Sequence, residues 1–403
     1  MQLFRPNCAD SGQASSLPSP SADELRHSEA LSELIVAQMN LAGGRLPFDR
    51  FMELVLYAPG LGYYSSGSRK LGADGDFITA PEVSPLFARA LARQYLQVAA
   101  ELGGGDLLEF GAGSGVLAVE MLLELERLRA PPQLYLIVEV SAELRARQQT
   151  LVAERLSPGL ASRVRWLEGI PPVGFRGMVV ANEVVDAMPV HRFRLRAGAR
   201  LEQWVSWNGE RFLSHWDSCS KPLAAELARL GAEIALPGED YESELNLRAA
   251  PWLTALSERL QAGLVLLIDY GYPRAEFYLP ERSRGTLMCH YRHRAHDDPL
   301  RYPGVQDITA HVDFTALAEA ALASGLSVCG YTTQAFFLFG CGLQEMVAAA
   351  DTAGVREHIQ LMQEVKRLTL PSEMGERFKV LGVSRGISQP PIGFSLQDLR
   401  GRL

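Results

Sequence analysis

Glu109-Phe110-Gly111-Ala112-Gly113-Ser114-Gly115 stands directly behind the apolar pair Leu107-Leu108 and directly before the amphipathic run Val116 to Leu128. Strand, glycine loop and helix in that order build a nucleotide-binding corner. Glycine at 111, 113 and 115 lets the backbone turn with φ > 0 and lets a ligand lie against bare main chain, while the helix N-terminus offers unpaired N–H groups. The dinucleotide fingerprint G-x-G-x-x-G/A needs a small sixth residue where the helix meets the strand, and Val116 occupies it, which argues against NAD and FAD. Glu109 would repel a pyrophosphate. It suits a ligand carrying a cation, such as the amino group and sulfonium of S-adenosylmethionine. The competing reading is a tight turn holding no ligand.

The next apolar run, Gln133 to Val138, ends in Glu139. A carboxylate at the carboxyl end of that strand can chelate a ribose diol with two hydrogen bonds. Its alternative is a helix cap or an ion pair with Arg145 or Arg147.

With 403 residues, 47% hydrophobic and 21% charged, the chain has ample material for one elaborated domain or two. A net charge of −8 lacks the basic excess of a general nucleic-acid binder. Five scattered cysteines, Cys8, Cys219, Cys289, Cys329 and Cys341, offer neither a disulfide framework nor a C-x-x-C ribbon and fit a reducing cytoplasm. No apolar run reaches the ~20 residues a bilayer span requires, and the N-terminus has no secretory pattern. The expectation is a cytoplasmic protein without a membrane span.

Residues 1–22, rich in Ser, Pro, Ala and Gly, read as a disordered tail. Residues 23–103 read as a helical extension: one helix from Asp23, a second opened by Pro47, a loop over 72–81, and a long helix from Ser84 to Leu102. From Leu107 onward, Leu107–Phe110, Leu134–Glu139, Val164–Leu167, Met178–Ala181 and Leu264–Ile268 are short apolar strands separated by helices. That alternation predicts an α/β fold with a doubly wound parallel sheet, its core spanning 104–186 and 262–403. Leu326–Thr333 and Phe378–Ser384 supply two final strands, with helical residues 342–368 between them. Residues 187–261 break the alternation. Arg192–Arg196, Gln203–Trp207, the turn Asn208-Gly209 and Arg211–Trp216 signal antiparallel strands, followed by two helices, beside the catalytic edge. This insertion and the basic loop 282–301 are expected to recognise the substrate.

The strand Met178–Ala181 runs into Asn182-Glu183-Val184-Val185-Asp186, and ligands of open parallel sheets bind at that edge. Glu183 and Asp186 can fork onto a guanidinium and balance its charge, or they cap a following helix. His311 and Asp313 lie two apart, on one face if extended, where they can accept or relay a proton; the bland alternative is a histidine bonded to a helix start. Cys289, His290, His293 and His296 invite a zinc reading, but their spacing is wrong and Arg282, Arg284, Arg292 and Arg294 would oppose a dication, so no metal is expected. That basic stretch suits an acidic partner surface.

Together these segments resemble the MidA-like family of class I methyltransferases, which includes a mitochondrial complex I assembly factor that methylates an arginine. The likeness lies in Arg50-Phe51-Met52 with Tyr57 to Tyr64, in Gly75 to Glu82, in Glu109 to Gly115, in Ala181-Asn182-Glu183 with Asp186 to Pro189, in Asp269-Tyr270-Gly271-Tyr272 and in Asp307 to Phe314. The resemblance implies S-adenosylmethionine as donor, with Thr79, Glu82, Glu109, Gly111, Gly113, Gly115 and Glu139 around it and Glu183, Asp186 and His311 at the reaction. It implies symmetric dimethylation of a protein arginine, the partner being a subunit of the respiratory NADH dehydrogenase. A eukaryotic source would place the protein in the mitochondrial matrix. Two other classes stay open: an assembly module that binds the donor without turnover, and a small-molecule methyltransferase. Neither the acceptor nor the oligomeric state is written in the motifs.

Overall fold

The computed structural model describes residues 17–66, 79–237, 240–350 and 354–403. Seven strands make the central sheet in the order Ser327–Thr333, Phe378–Arg385, Leu260–Tyr272, Phe175–Asn182, Asp106–Phe110, Tyr135–Val138, Val164–Leu167. The last five of these run parallel, while Phe378–Arg385 is antiparallel to both its neighbours. Numbered by sequence, the order is 6-7-5-4-1-2-3, so it reverses between strands 1 and 4, which places the switch point at the glycine loop. A further two-residue strand, Val312–Asp313, pairs with the outer end of Leu260–Tyr272.

Period-two alternation sends Leu107, Met178, Val180, Leu264 and Ile268 to one face, under the helices Pro85–Leu102 and Val116–Arg127. Leu108, Val179, Ala181, Val265 and Leu267 face the helices Ala249–Ser257 and Phe314–Ala323. Both layers are closed, as the sequence alternation predicts.

Several boundaries differ from those read in the sequence. The strand expected at Leu264–Ile268 extends over Leu260–Tyr272, because its outer residues find partners on three strands: Leu260 and Ala262 on Phe175–Asn182, Asp269 and Tyr270 on Phe378–Arg385, and Gly271 and Tyr272 on Val312–Asp313. A fourth antiparallel strand, Tyr241–Leu245, separates the two helices of the 187–261 segment and pairs with His191–Arg196. Its residues alternate with charges that local reading assigns to no strand. The same sheet takes in Arg45–Pro47 from the N-terminal extension, paired with Ala199–Trp207. The stretch 282–301 is not simply a loop: Met288–Tyr291 and Arg294–His296 form a hairpin that pairs with Asp307–Thr309. Residues 342–368 hold two helices, Leu343–Ala348 and Val355–Thr369. The first helix starts at Ala22, capped by a Ser21/Glu24 box, so the tail expected over 1–22 ends in ordered chain, while 1–16 lie outside the described residues. Of the expected 72–81 loop, 72–78 lie outside them too, and Ala80–Val83 is a single helical turn. No helix among the described residues is long and apolar enough to cross a membrane.

Candidate active site

The glycine loop adopts the backbone that its composition predicts. Gly111, Gly113 and Gly115 have φ of 62°, 53° and 85°, in the left-handed region where only glycine is unstrained. Gly115 caps the helix Val116–Arg127, leaving its first N–H groups at the loop. A Cβ on Gly111 would lie 3.2 Å from Val184 Cγ2, so the loop packs against the turn that carries Glu183 and Asp186.

Sheet register aligns the carboxyl ends. Val138, Phe110, Ala181 and Leu267 form one row, and one residue further out come Glu139, Gly111 and Asn182. Glu139 does not cap the next helix, since Ser141 is the cap, and Arg147 pairs with Glu143, but Arg145 donates to the Glu139 backbone carbonyl at 3.4 Å and its charge lowers the carboxyl pKa. Glu139 Oε1 accepts the Ser141 N–H at 3.0 Å and Oε2 the Gln148 amide at 3.0 Å. Gln148 also donates to Gly113 O and accepts from Trp166 Nε1, each at 2.9 Å, locking Glu139 to the loop. Burial pushes the Glu139 carboxyl up, against these bonds. Gln148 was invisible to sequence reading because nothing local marks a glutamine on a helix as second support for a loop.

Glu109 is 3% exposed and accepts a 2.7 Å hydrogen bond from the Tyr135 hydroxyl. Burial pushes its carboxyl up to about 7, against the tyrosine bond and with help from the charge of Glu139.

At the ends of the next two strands the acids gather. Glu183 is half-buried at φ +53°, an uncommon backbone for a non-glycine residue, and its N–H donates to Ile268 O at 2.9 Å. The chain then turns through Asp186 to the strand His191–Arg196, with no helix for Glu183 or Asp186 to cap. Asp269 Oδ2 accepts the N–H groups of Val185 and Asp186 at 3.0 and 3.2 Å, and its Oδ1 that of Tyr270 at 3.0 Å. Asp307 Oδ1 accepts the Tyr64 hydroxyl at 2.9 Å, and Tyr57, stacked on Tyr64, donates to Ala187 O at 2.9 Å. Burial and the charges of Asp186, Glu82 and Asp307 push Glu183 well above the carboxylate range. Burial with Asp269 and Asp307 does the same to Asp186, and burial with Glu183 raises Asp269 to about 8. Asp269, Asp307, Tyr57 and Tyr64 are the residues that the sequence assigned no role. Their signal was an acid closing an apolar strand, Leu264 to Asp269, and an acid opening the segment Asp307 to Phe314.

His311 is half-buried between Tyr270, at 6.2 Å, and Tyr272, at 5.4 Å, and its Nδ1 has no hydrogen-bond partner among the described residues. Burial, with Arg282, Lys379 and Arg377, lowers it to about 4. Asp313 does not partner it: its Oδ1 caps the helix Phe314–Ala323 through Ala316 N at 3.1 Å and its Oδ2 meets Arg274 at 3.3 Å. Thr79 precedes the turn Ala80–Val83, and Glu82, on that turn, faces the acids through its charge. Of the zinc candidates, Cys289 is buried in the N-terminal core while His293 stands exposed at a hairpin tip, so the four do not converge.

Residues 86–332 match the family model described as "Putative S-adenosyl-L-methionine-dependent methyltransferase". The chain belongs to this MidA-like methyltransferase family. A Burkholderia thailandensis superfamily member solved bound to S-adenosyl-homocysteine is 44% identical, superposes with a TM-score of 0.91, and is matched over 96% of this chain and all of that one. The mitochondrial protein arginine methyltransferase NDUFAF7 homolog of Drosophila melanogaster is 30% identical over 88% of this chain and 86% of its own. The Bos taurus protein arginine methyltransferase NDUFAF7 is 29% identical over 84% and 80%. The methyltransferase thus has the class I fold and uses S-adenosylmethionine. Its residues fit that donor: beside the left-handed glycines, Asn182 Oδ1 is a buried acceptor with no partner among the described residues, in the row that continues Gly111 and Glu139.

Proposed function

We propose that the protein methylates an arginine side chain of another protein. The observation that carries this reading is the convergence of Glu82, Glu183, Asp186, Asp269 and Asp307 from four separate segments, with three of the carboxyls raised by burial and mutual repulsion. Such an arrangement is unstable alone and is relieved by a planar cation, for which the guanidinium fork is the best geometric match. The names of the relatives support the same acceptor.

In this reading Gly111, Gly113, Gly115 and Glu139 hold the donor. Bound there, S-adenosylmethionine supplies an electrophilic methyl group on sulfonium. Glu183 and Asp186 hold two guanidinium nitrogens and turn the third toward that methyl. Binding the cation returns Glu183 to its ionised form, so it can accept the N–H proton that leaves as the new N–C bond forms. Asp269 holds the turn in shape through the backbone of Val185 and Asp186. To His311, neutral at physiological pH, we assign the passing of a proton outward.

The resemblance extends the proposal to a subunit of the respiratory NADH dehydrogenase, met in the cytoplasm of a bacterium or in the matrix of a mitochondrion. Methyl-labelled S-adenosylmethionine given to the purified protein with cell extract should label arginine in protein. Label confined to free metabolites would overturn the arginine reading in favour of a small-molecule acceptor. Donor binding without any transfer would leave a silent assembly factor. Mass spectrometry of the NADH dehydrogenase from cells with and without the protein tests the partner, and identical arginine methylation in both removes it.

A further inference from the structure

A cavity of about 270 Å³ opens beside the acidic cluster, lined by Val83, Tyr270, His293, Arg367, Glu373, Met374 and Arg377. It adjoins the cluster, because the charges of Glu183, Asp186 and Asp269 reach the Tyr270 side chain in its wall. Val83 follows Glu82 and Tyr270 follows Asp269, so two of its walls are the residues adjoining two of the five acids. Its other walls come from the helix Val355–Thr369, the turn Met374–Arg377 and the hairpin tip at 292–293.

Its chemistry is the inverse of its neighbour's. Two guanidiniums and an imidazole outnumber one carboxylate, in a chain whose net charge is −8. Arg367 and Arg377 are exposed, and neither has a carboxylate within ion-pair distance among the described residues. The surface arginines elsewhere commonly have one, as Arg229 has Glu226 and Glu233. The hairpin that delivers His293 is also strained. Arg292 and His293 occupy its two-residue turn at φ of 48° and 60°, where Asn-Gly is the usual pair. Arg292 is tied back to Glu24, leaving the tip fixed with His293 on the cavity. Strain of this kind persists where it places a side chain for use.

We propose that this cavity is a subsite for a carboxylate of the acceptor chain, so that the enzyme selects an arginine with an aspartate or glutamate one or two residues away. The inference rests on the arginine reading above and deepens it. An extended peptide advances about 3.3 Å per residue, so a chain whose arginine enters the acidic cluster carries its near neighbours to the adjoining wall. The donor's own carboxylate is the competing occupant. It is disfavoured by distance: Phe378, which follows Arg377, lies on a strand separated from the glycine-loop strand by two others, about 14 Å across the sheet.

The test uses fluorescent peptides of one glycine-serine frame, carrying Arg with a nearby Asp, Arg with Asn, or Gln with Asp, titrated by anisotropy against the full-length protein with S-adenosyl-homocysteine present. The Arg/Asp peptide should bind about tenfold more tightly than Arg/Asn, and the Arg367→Gln, Arg377→Gln double variant should reduce that preference to within about twofold while leaving Arg/Asn binding unchanged. Equal binding of Arg/Asp and Arg/Asn to the unsubstituted protein overturns the subsite and leaves the arginine reading standing. Gln/Asp binding as well as Arg/Asp leaves the subsite standing and overturns the arginine reading. No binding by any peptide at concentrations on the order of 1 mM overturns both. Weakened S-adenosyl-homocysteine affinity in the double variant assigns the cavity to the donor instead.

Discussion

Asp269 accepts the backbone N–H of Asp186 at 3.2 Å while the two side-chain charges repel each other. One carboxylate therefore builds the turn that holds another in an unfavourable place. This separates residues that shape the site from residues that face the acceptor. Asp269→Ala would orphan the N–H groups of Val185, Asp186 and Tyr270, each costing about 1–3 kcal/mol if left dry, offset in part by the lost repulsion. Both thermal stability and methyl transfer should fall; unchanged unfolding temperature would remove Asp269 as the holder of the turn.

Glu183→Gln should act in the opposite sense on stability. It replaces a carboxyl that burial and the charges of Asp186, Glu82 and Asp307 force to take up a proton on folding, so at neutral pH the free protein should unfold at a higher temperature. Methyl transfer to arginine should lose at least ~2 kcal/mol of transition-state stabilisation, roughly 30-fold in rate. Near-normal turnover in the folded variant would show that Glu183 does not hold the acceptor.

The free protein should lose stability as pH rises. Asp269 near 8 and Glu109 near 7 are both raised above their unfolded values, so the folded chain binds more protons than the unfolded chain between about pH 5 and 8. Their contribution is fully present below the unfolded pKa and is lost as pH passes 7 and then 8, at up to about 1.4 kcal/mol per pH unit for each proton. Urea unfolding at pH 5.5, 7 and 8.5 checks this; stability rising across that series would contradict it.

Gly113→Val should abolish binding of S-adenosylmethionine in a protein that still folds. Its φ of +53° is forbidding to a β-branched residue, so the loop backbone proposed to meet the ligand would have to change course. Calorimetry decides, and normal affinity in the folded variant would move the donor pocket elsewhere.

Shortening the hairpin at Asn208-Gly209 should weaken methylation of a protein acceptor and spare donor affinity. The tip is a local turn, with Asn208 Oδ1 accepting the N–H groups of Glu210 and Arg211, and it lies outside the central sheet. Full activity on protein after its removal would take the tip out of acceptor recognition.

The sequence by itself determined the glycine corner, because strand, glycines and helix are consecutive and the positive φ angles follow from residue type. It also determined the two-layered sheet, since apolar alternation over Leu107–Phe110, Met178–Ala181 and Leu264–Ile268 leaves no other way to bury both faces. Tertiary structure decided the rest. Glu82, Asp186, Asp269 and Asp307 lie far apart in the chain, and only parallel register and the packing of the N-terminal turn bring their charges together. Periodicity reports neighbours within a turn or a strand, so it cannot foresee that Arg45–Pro47 joins a sheet begun at His191, or that Asp313 spends its carboxylate on Ala316 and Arg274 instead of His311. Gly177 makes the same point: a Cβ there would sit 1.9 Å from Asp106 O, a constraint set wholly by the neighbouring strand.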